Sequence, residues 1–146
     1  MAGVDSTRFA AAVAGQAVDR PNYSDPKYWL QRYLSSEYAP FDWYLKWEHM
    51  KDAVKPLMPQ ADAEVLVLGC GTSTLGEQLC AEGVASIMCA DRCEPLIDIL
   101  TEKHQDKPTL LFEAADAERL PKEWTGRFDM VIDKATMDSI ACQGDR

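Results

Sequence analysis

A glycine pair and three aspartates sit at the ends of apolar runs in this chain. The first run stops at Gly69-Cys70-Gly71, within the stretch VLVLGCGTSTLGEQL. Asp91, Asp116 and Asp133 close three later runs, and Lys134 follows the last of them. A glycine-rich turn between strand and helix commonly holds a nucleotide, and the letters discriminate between kinds. Gly71 and Gly76 have the spacing of a phosphate-binding loop, but Glu77-Gln78 stands where lysine and a hydroxyl are needed. A carboxylate there would repel a triphosphate. A dinucleotide fingerprint needs a third glycine for close helix–strand packing, and Thr74 occupies that place. S-adenosylmethionine has no phosphate and asks only that backbone come close at the strand end. Gly69 and Gly71 allow this by lacking a Cβ. A plain tight turn is the competing reading.

Asp91 follows the loop at about the twenty-residue spacing of carboxylates that accept ribose hydroxyls, or it is a turn aspartate before a helix. Asp116, in EAADAERLP, can read an adenine edge together with the N–H of Ala117, or it is a solvated loop residue. Asp133 can steer an acceptor amine. Lys134 can cap a ligand carboxylate, or pair with Asp133 as a structural ion pair. Trp29 and Tyr33, four apart, share a helix face, and Trp43, Tyr44 and Trp47 follow. Such rings attract a sulfonium cation or simply pack a helix on a sheet.

The elements that must position these residues alternate regularly. Strands are expected at 64–68, 86–90, 109–114 and 128–133. Helices are expected at 73–82, 94–104 and from 135. The stripe Leu96, Ile99, Leu100 and Lys103 should face the core. Gly83 should end the first of these helices. This alternation implies an α/β, Rossmann-like, doubly wound parallel sheet, with ligands outside the carboxyl ends of its strands. Ahead of it lies an aromatic helical lead-in over residues 26–60. Pro40 should break it in two, and Pro56 and Pro59 should close it. Residues 1–25, including FAAAVAGQAV, read as a loosely ordered tail. The βα core spans 64–146.

Composition bounds the partners. Of 146 residues, 47% are hydrophobic and 27% charged, with a net charge of −9. A nucleic-acid backbone is not expected as partner. No apolar run has the length of a membrane span. The cysteines and the two histidines form no zinc pattern, so no metal is expected, and reduced thiols fit a cytoplasmic protein.

The letters YWLQRY, FDWY, VLVLGCGTS, CADR, EAADAERLP and FDMVIDKATMDS resemble the seven-strand S-adenosylmethionine-dependent methyltransferases. More narrowly, they resemble the group containing the elongation factor 1-alpha lysine methyltransferases and the methyltransferase-like segment associated with endothelin-converting enzyme 2. The resemblance runs from about Asp25 to Ser139. It implies S-adenosyl-L-methionine as cofactor, held by Trp29, Tyr33, Trp43, Gly69, Gly71, Asp91, Arg92, Asp116, Ala117 and Lys134. It implies methyl transfer to a protein lysine, with elongation factor 1-alpha as candidate substrate and Asp133 as candidate catalytic residue. A small-molecule methyltransferase or a non-catalytic cofactor-binding module would share the same cofactor residues. The group usually has glycine where this chain has Ala135. It also continues through three further strands, so this chain corresponds to the amino-terminal part of the domain, and turnover by it alone is not expected.

Overall fold

The computed structural model describes residues 21–35, 39–58 and 62–142. The stretch FAAAVAGQAV and Pro59 lie outside the described residues.

Strand β1 (Glu64–Leu68) is the hub. Val65, Leu66, Val67 and Leu68 are all buried, so both faces of this strand are covered. A strand without a polar face belongs inside a parallel sheet. It pairs in parallel with β2 (Ser86–Asp91) on one side and β4 (Met130–Asp133) on the other. Strand β3 (Leu110–Ala114) adds to β2, giving the order β3-β2-β1-β4. The register sets Val67 beside Cys89 and Ile132, and Leu68 beside Ala90 and Asp133.

Strand alternation divides the interior into two cores. Val65, Val67, Ile87 and Cys89 meet Leu75 and Leu79 of helix α3 (Leu75–Ala81) and Leu96 and Leu100 of α4 (Glu94–Lys103). Leu66, Leu68, Met88 and Ala90 meet Trp124, from a 3-10 turn at Lys122–Trp124. Gly76 lets α3 lie close to the sheet, because a methyl there would stand 2.5 Å from Cys89 Sγ and 3.0 Å from Leu110 Cδ1. The close packing expected of a third loop glycine therefore comes from a residue two positions later. Gly83, at φ +89°, ends α3. Its N–H bonds Cys80 O, and the N–H of Val84 bonds Leu79 O, which satisfies two terminal carbonyls.

The structure corrects three expectations. The core stripe of α4 is Leu96, Ile97 and Leu100, while Ile99 is 39% exposed and Lys103 reaches out to Glu77 at 3.4 Å. Strand β2 extends through Asp91, whose partner in β3 is Ala114. The lead-in forms helix α1 (Pro26–Ser35) and helix α2 (Trp47–Val54), but residues 41–46 between them are not helical. Tertiary contacts pull that stretch out of a helix. The Phe41 N–H donates to Thr72 O at 3.3 Å, Asp42 binds Ser73 and Lys134, and Tyr44 takes φ +63°. Helix α5 (Thr136–Ala141) follows β4.

Candidate cofactor site

The loop after β1 is built for close approach. Gly69 and Gly71 both have positive φ, +64° and +50°, where a side chain is strained. The space above each is taken. A methyl on Gly69 would stand 2.6 Å from Thr136 Cγ2, and one on Gly71 would stand 2.9 Å from the Tyr33 hydroxyl. Thr136 also donates its hydroxyl to Leu68 O at 2.9 Å, which ties the start of α5 to the end of β1.

Asp91 holds this loop in place. Its carboxylate accepts the Gly71 N–H at 2.9 Å and the Cys93 N–H at 3.0 Å. It is only 6% exposed. Burial pushes its carboxyl above the ordinary aspartate value, while the bonds from Cys93 and Gly71 pull the other way. A carboxylate has acceptor capacity beyond two N–H bonds, so Asp91 can still receive hydroxyls from the cavity side. Beyond it, Arg92 pairs with Asp116 at 3.5 Å. Asp116 also accepts the Glu118 N–H at 3.0 Å, fixing the turn that carries Ala117.

The aromatic lead-in forms the opposite wall. The ring centroids of Trp29 lie 5.9 Å from Tyr33 and 6.1 Å from Trp43. Tyr23 packs against both tryptophans, and its carbonyl accepts the Trp29 indole N–H at 2.6 Å and the Ser139 hydroxyl at 2.5 Å. The Arg32 guanidinium lies over Phe41 and Trp43. Burial raises the Tyr33 hydroxyl well above the usual phenol range, with the Asp91 charge adding to it. Tyr33 therefore stays neutral and able to donate. Trp47 behaves differently. It is buried in the core, with its N–H on Glu82 at 3.1 Å.

Trp29, Tyr33, Trp43, Gly69, Gly71, Asp91, Arg92, Asp116, Ala117 and Lys134 line one cavity at the carboxyl ends of the strands. Asp133 does not line it. Its carboxylate accepts the N–H groups of Thr136 and Met137, each at 3.0 Å, and so caps the first turn of α5. Nor does Lys134 pair with Asp133. Its ammonium binds Asp42 and reaches Leu45 O at 3.3 Å. Adjacent residues at a strand end point to opposite faces, which separates the two side chains. Asp42 also accepts the Ser73 hydroxyl, so one carboxylate joins the lead-in, the glycine loop and the end of β4. Sequence reasoning gave no role to Asp42, Tyr23, Thr136 or Ser139. Asp42 had a signal in the FDWY motif. Tyr23 had none, since it falls in the stretch read as a tail.

The cavity is lined by the glycine loop, the carboxylates of Asp91 and Asp116, and the rings of Trp29, Tyr33 and Trp43. That combination suits a nucleoside bearing a cationic or apolar extension. Among the described residues no group of three or more His, Cys, Asp or Glu could hold a metal ion, and no helix is long and apolar enough to cross a membrane.

Comparison with known proteins agrees with this geometry. A family model described as a methyltransferase domain matches residues 65–143. EEF1A lysine methyltransferase 4 of Bos taurus is 29% identical over 119 residues, covering 81% of this chain and 46% of that protein. Methyltransferase srdJ of Neurospora crassa is 33% identical over 150 residues, covering 95% of this chain and 63% of that protein. The chain thus spans 46% and 63% of the length of these two curated relatives. Among solved structures, a protein from Rhodobacter sphaeroides named for zinc-dependent alcohol dehydrogenases superposes with a TM-score of 0.54. It is 20% identical and covers 77% of this chain and 41% of its own, which establishes a shared fold.

Proposed function

The chain belongs to the methyltransferase-domain family, and from that premise we propose that it carries the S-adenosylmethionine site of a protein-lysine methyltransferase. One observation carries the cofactor reading. Asp91, buried at the end of β2, ties down a glycine loop roofed by Tyr33 and shares its cavity with Trp29 and Trp43. Asp91 and the Asp116–Ala117 turn are placed to hold an adenosine. Gly69 and Gly71 let the loop lie tight beneath Thr136 and Tyr33 at the edge of the cavity. Trp29 and Trp43 supply aromatic faces and exclude water. When bound, S-adenosylmethionine supplies a methyl group on a sulfonium, an electrophile for an amine. Likeness to EEF1A lysine methyltransferase 4 supports a protein lysine as acceptor, with elongation factor 1-alpha as the first candidate to test.

The test is calorimetry with S-adenosylhomocysteine, NAD and ATP on the chain, followed by a radiolabelled methyl assay against elongation factor 1-alpha with the domain extended to the length of its relatives, where label on a lysine supports that acceptor and its absence overturns it. Heat from S-adenosylhomocysteine alone supports the cofactor reading. Heat from NAD or ATP alone overturns it.

A further inference from the structure

A second hollow adjoins the cofactor cavity, and Lys134 and Ala135 line both. The carboxylates suited to an adenosine stand at the ends of β2 and β3. Lys134 and Ala135 stand across the sheet, at the end of β4. A group that must meet the cofactor's reactive end therefore has its approach on the β4 side, where the second hollow opens.

The surface there has a definite chemistry. Tyr44, Leu45 and Met137 line it and are 71%, 48% and 57% exposed. Asp133 and Asp138 add carboxylates. Lys134, the cation among the lining residues, is already held by Asp42. The lining thus offers negative charge beside an apolar, aromatic floor. The Tyr44 hydroxyl donates to Asp138 at 3.2 Å, which sets the ring beside the carboxylate.

We infer that this hollow is the acceptor-side docking surface, and that its occupant is a cationic, lysine-bearing segment of another protein. The inference rests on the methyltransferase reading above. A lysine side chain matches the surface part by part. Its methylene stem covers Leu45 and Met137, and its ammonium meets Asp138 and the face of Tyr44. The chain's net charge of −9 adds long-range attraction for such a segment and repels an acidic one.

The probe is a blocked hexapeptide of alternating lysine and glycine, with a glutamate–glycine peptide as control. Each is titrated into the chain saturated with S-adenosylhomocysteine. Asp138→Asn should weaken the lysine peptide about fivefold, the upper range for an exposed ion pair. Asp138→Lys should abolish lysine-peptide binding. Tyr44→Gly removes the ring at a positive φ that glycine tolerates, so its expected loss of peptide affinity reports the ring and not the backbone. S-adenosylhomocysteine affinity should stay unchanged in all three variants. Lysine-peptide affinity unaltered in all three, with S-adenosylhomocysteine still bound, overturns the docking surface and leaves the cofactor reading intact. If S-adenosylhomocysteine fails to bind the unaltered chain, the methyltransferase reading falls, and this inference falls with it.

Discussion

Asp42 is the residue whose loss should reveal most about how the site is held. Its side chain is 9% exposed and that of Lys134 is 12% exposed. Replacing Asp42 with alanine leaves the Lys134 ammonium with Leu45 O as its remaining partner and leaves the Ser73 hydroxyl without its acceptor. Stranding one member of a buried pair costs about 3–5 kcal/mol. Lys134 can recover part of that by extending its head toward water, so the expected loss is about 2–3 kcal/mol. Urea unfolding of the chain measures it, and a double-mutant cycle assigns it. Asp42→Ala combined with Lys134→Met, measured beside each single variant, removes both charges and should recover most of the Asp42→Ala loss, because no uncompensated charge remains. Asp42→Ala should also weaken S-adenosylhomocysteine binding, since residues 41–46 are fixed to the glycine loop through this carboxylate. A loss below about 0.5 kcal/mol, typical of an exposed surface substitution, together with additivity in the cycle, would refute the claim that Asp42 clamps the site.

Gly76→Ala should cost about 1–3 kcal/mol in the same assay, because the added methyl meets Cys89 Sγ on a packed sheet. Ala135 has φ +78°, so Ala135→Gly should instead stabilise by about 1 kcal/mol, offset in part by the freer unfolded chain. Burial raises the Asp91 carboxyl, so the folded state binds that proton more tightly than the unfolded chain, and its contribution to stability falls as pH rises through that window. Binding has the opposite sign. The ribose-accepting form is the carboxylate, so S-adenosylhomocysteine affinity should fall on acidification, starting at a higher pH than for an exposed aspartate. Calorimetry across the acid range checks this, and a profile like that of an ordinary aspartate would count against it. Asp133→Ala should cost about 1 kcal/mol of stability as a lost cap without changing S-adenosylhomocysteine affinity; a clear loss of affinity would show that the cap also supports the cofactor cavity.

The sheet was legible because its signals are local. The unbroken apolar run at Val65–Leu68 is short, rich in valine and closed by Gly69, which marks a strand covered on both faces, and the glycines and prolines around it mark where helices stop and start. The elements between 64 and 141 followed within a residue or two. What local pattern could not show was residues 41–46. Their composition permits a helix, but contacts distant in sequence hold them elsewhere: Phe41 and Asp42 to Thr72 and Ser73 of the glycine loop, Asp42 and Leu45 to Lys134, and Tyr44 to Asp138. The same limit applies to α4. Ile97 and Ile99 are equally apolar, and which one is buried depends on where the helix rests on β2 and β3.

The site divides along the same line. One rule applied to one topology pointed to Gly69, Gly71, Asp91 and Asp116 at the strand ends, and all four line the cavity. Residues that act through a partner were not legible in this way, because the partner is remote. Lys134 has an acid next to it in sequence, yet it binds one 92 residues away. The strand pleat explains both halves of that result. It turns Asp133 toward the amides of α5 and Lys134 toward the cavity and the lead-in. The aromatic lead-in therefore matters less as a stack of rings than as a piece of chain carrying Asp42 to the end of β4. Its two readings, ligand wall and packing, are not alternatives, since the contacts that pack Trp29 and Trp43 are the ones that make them a wall of the cavity.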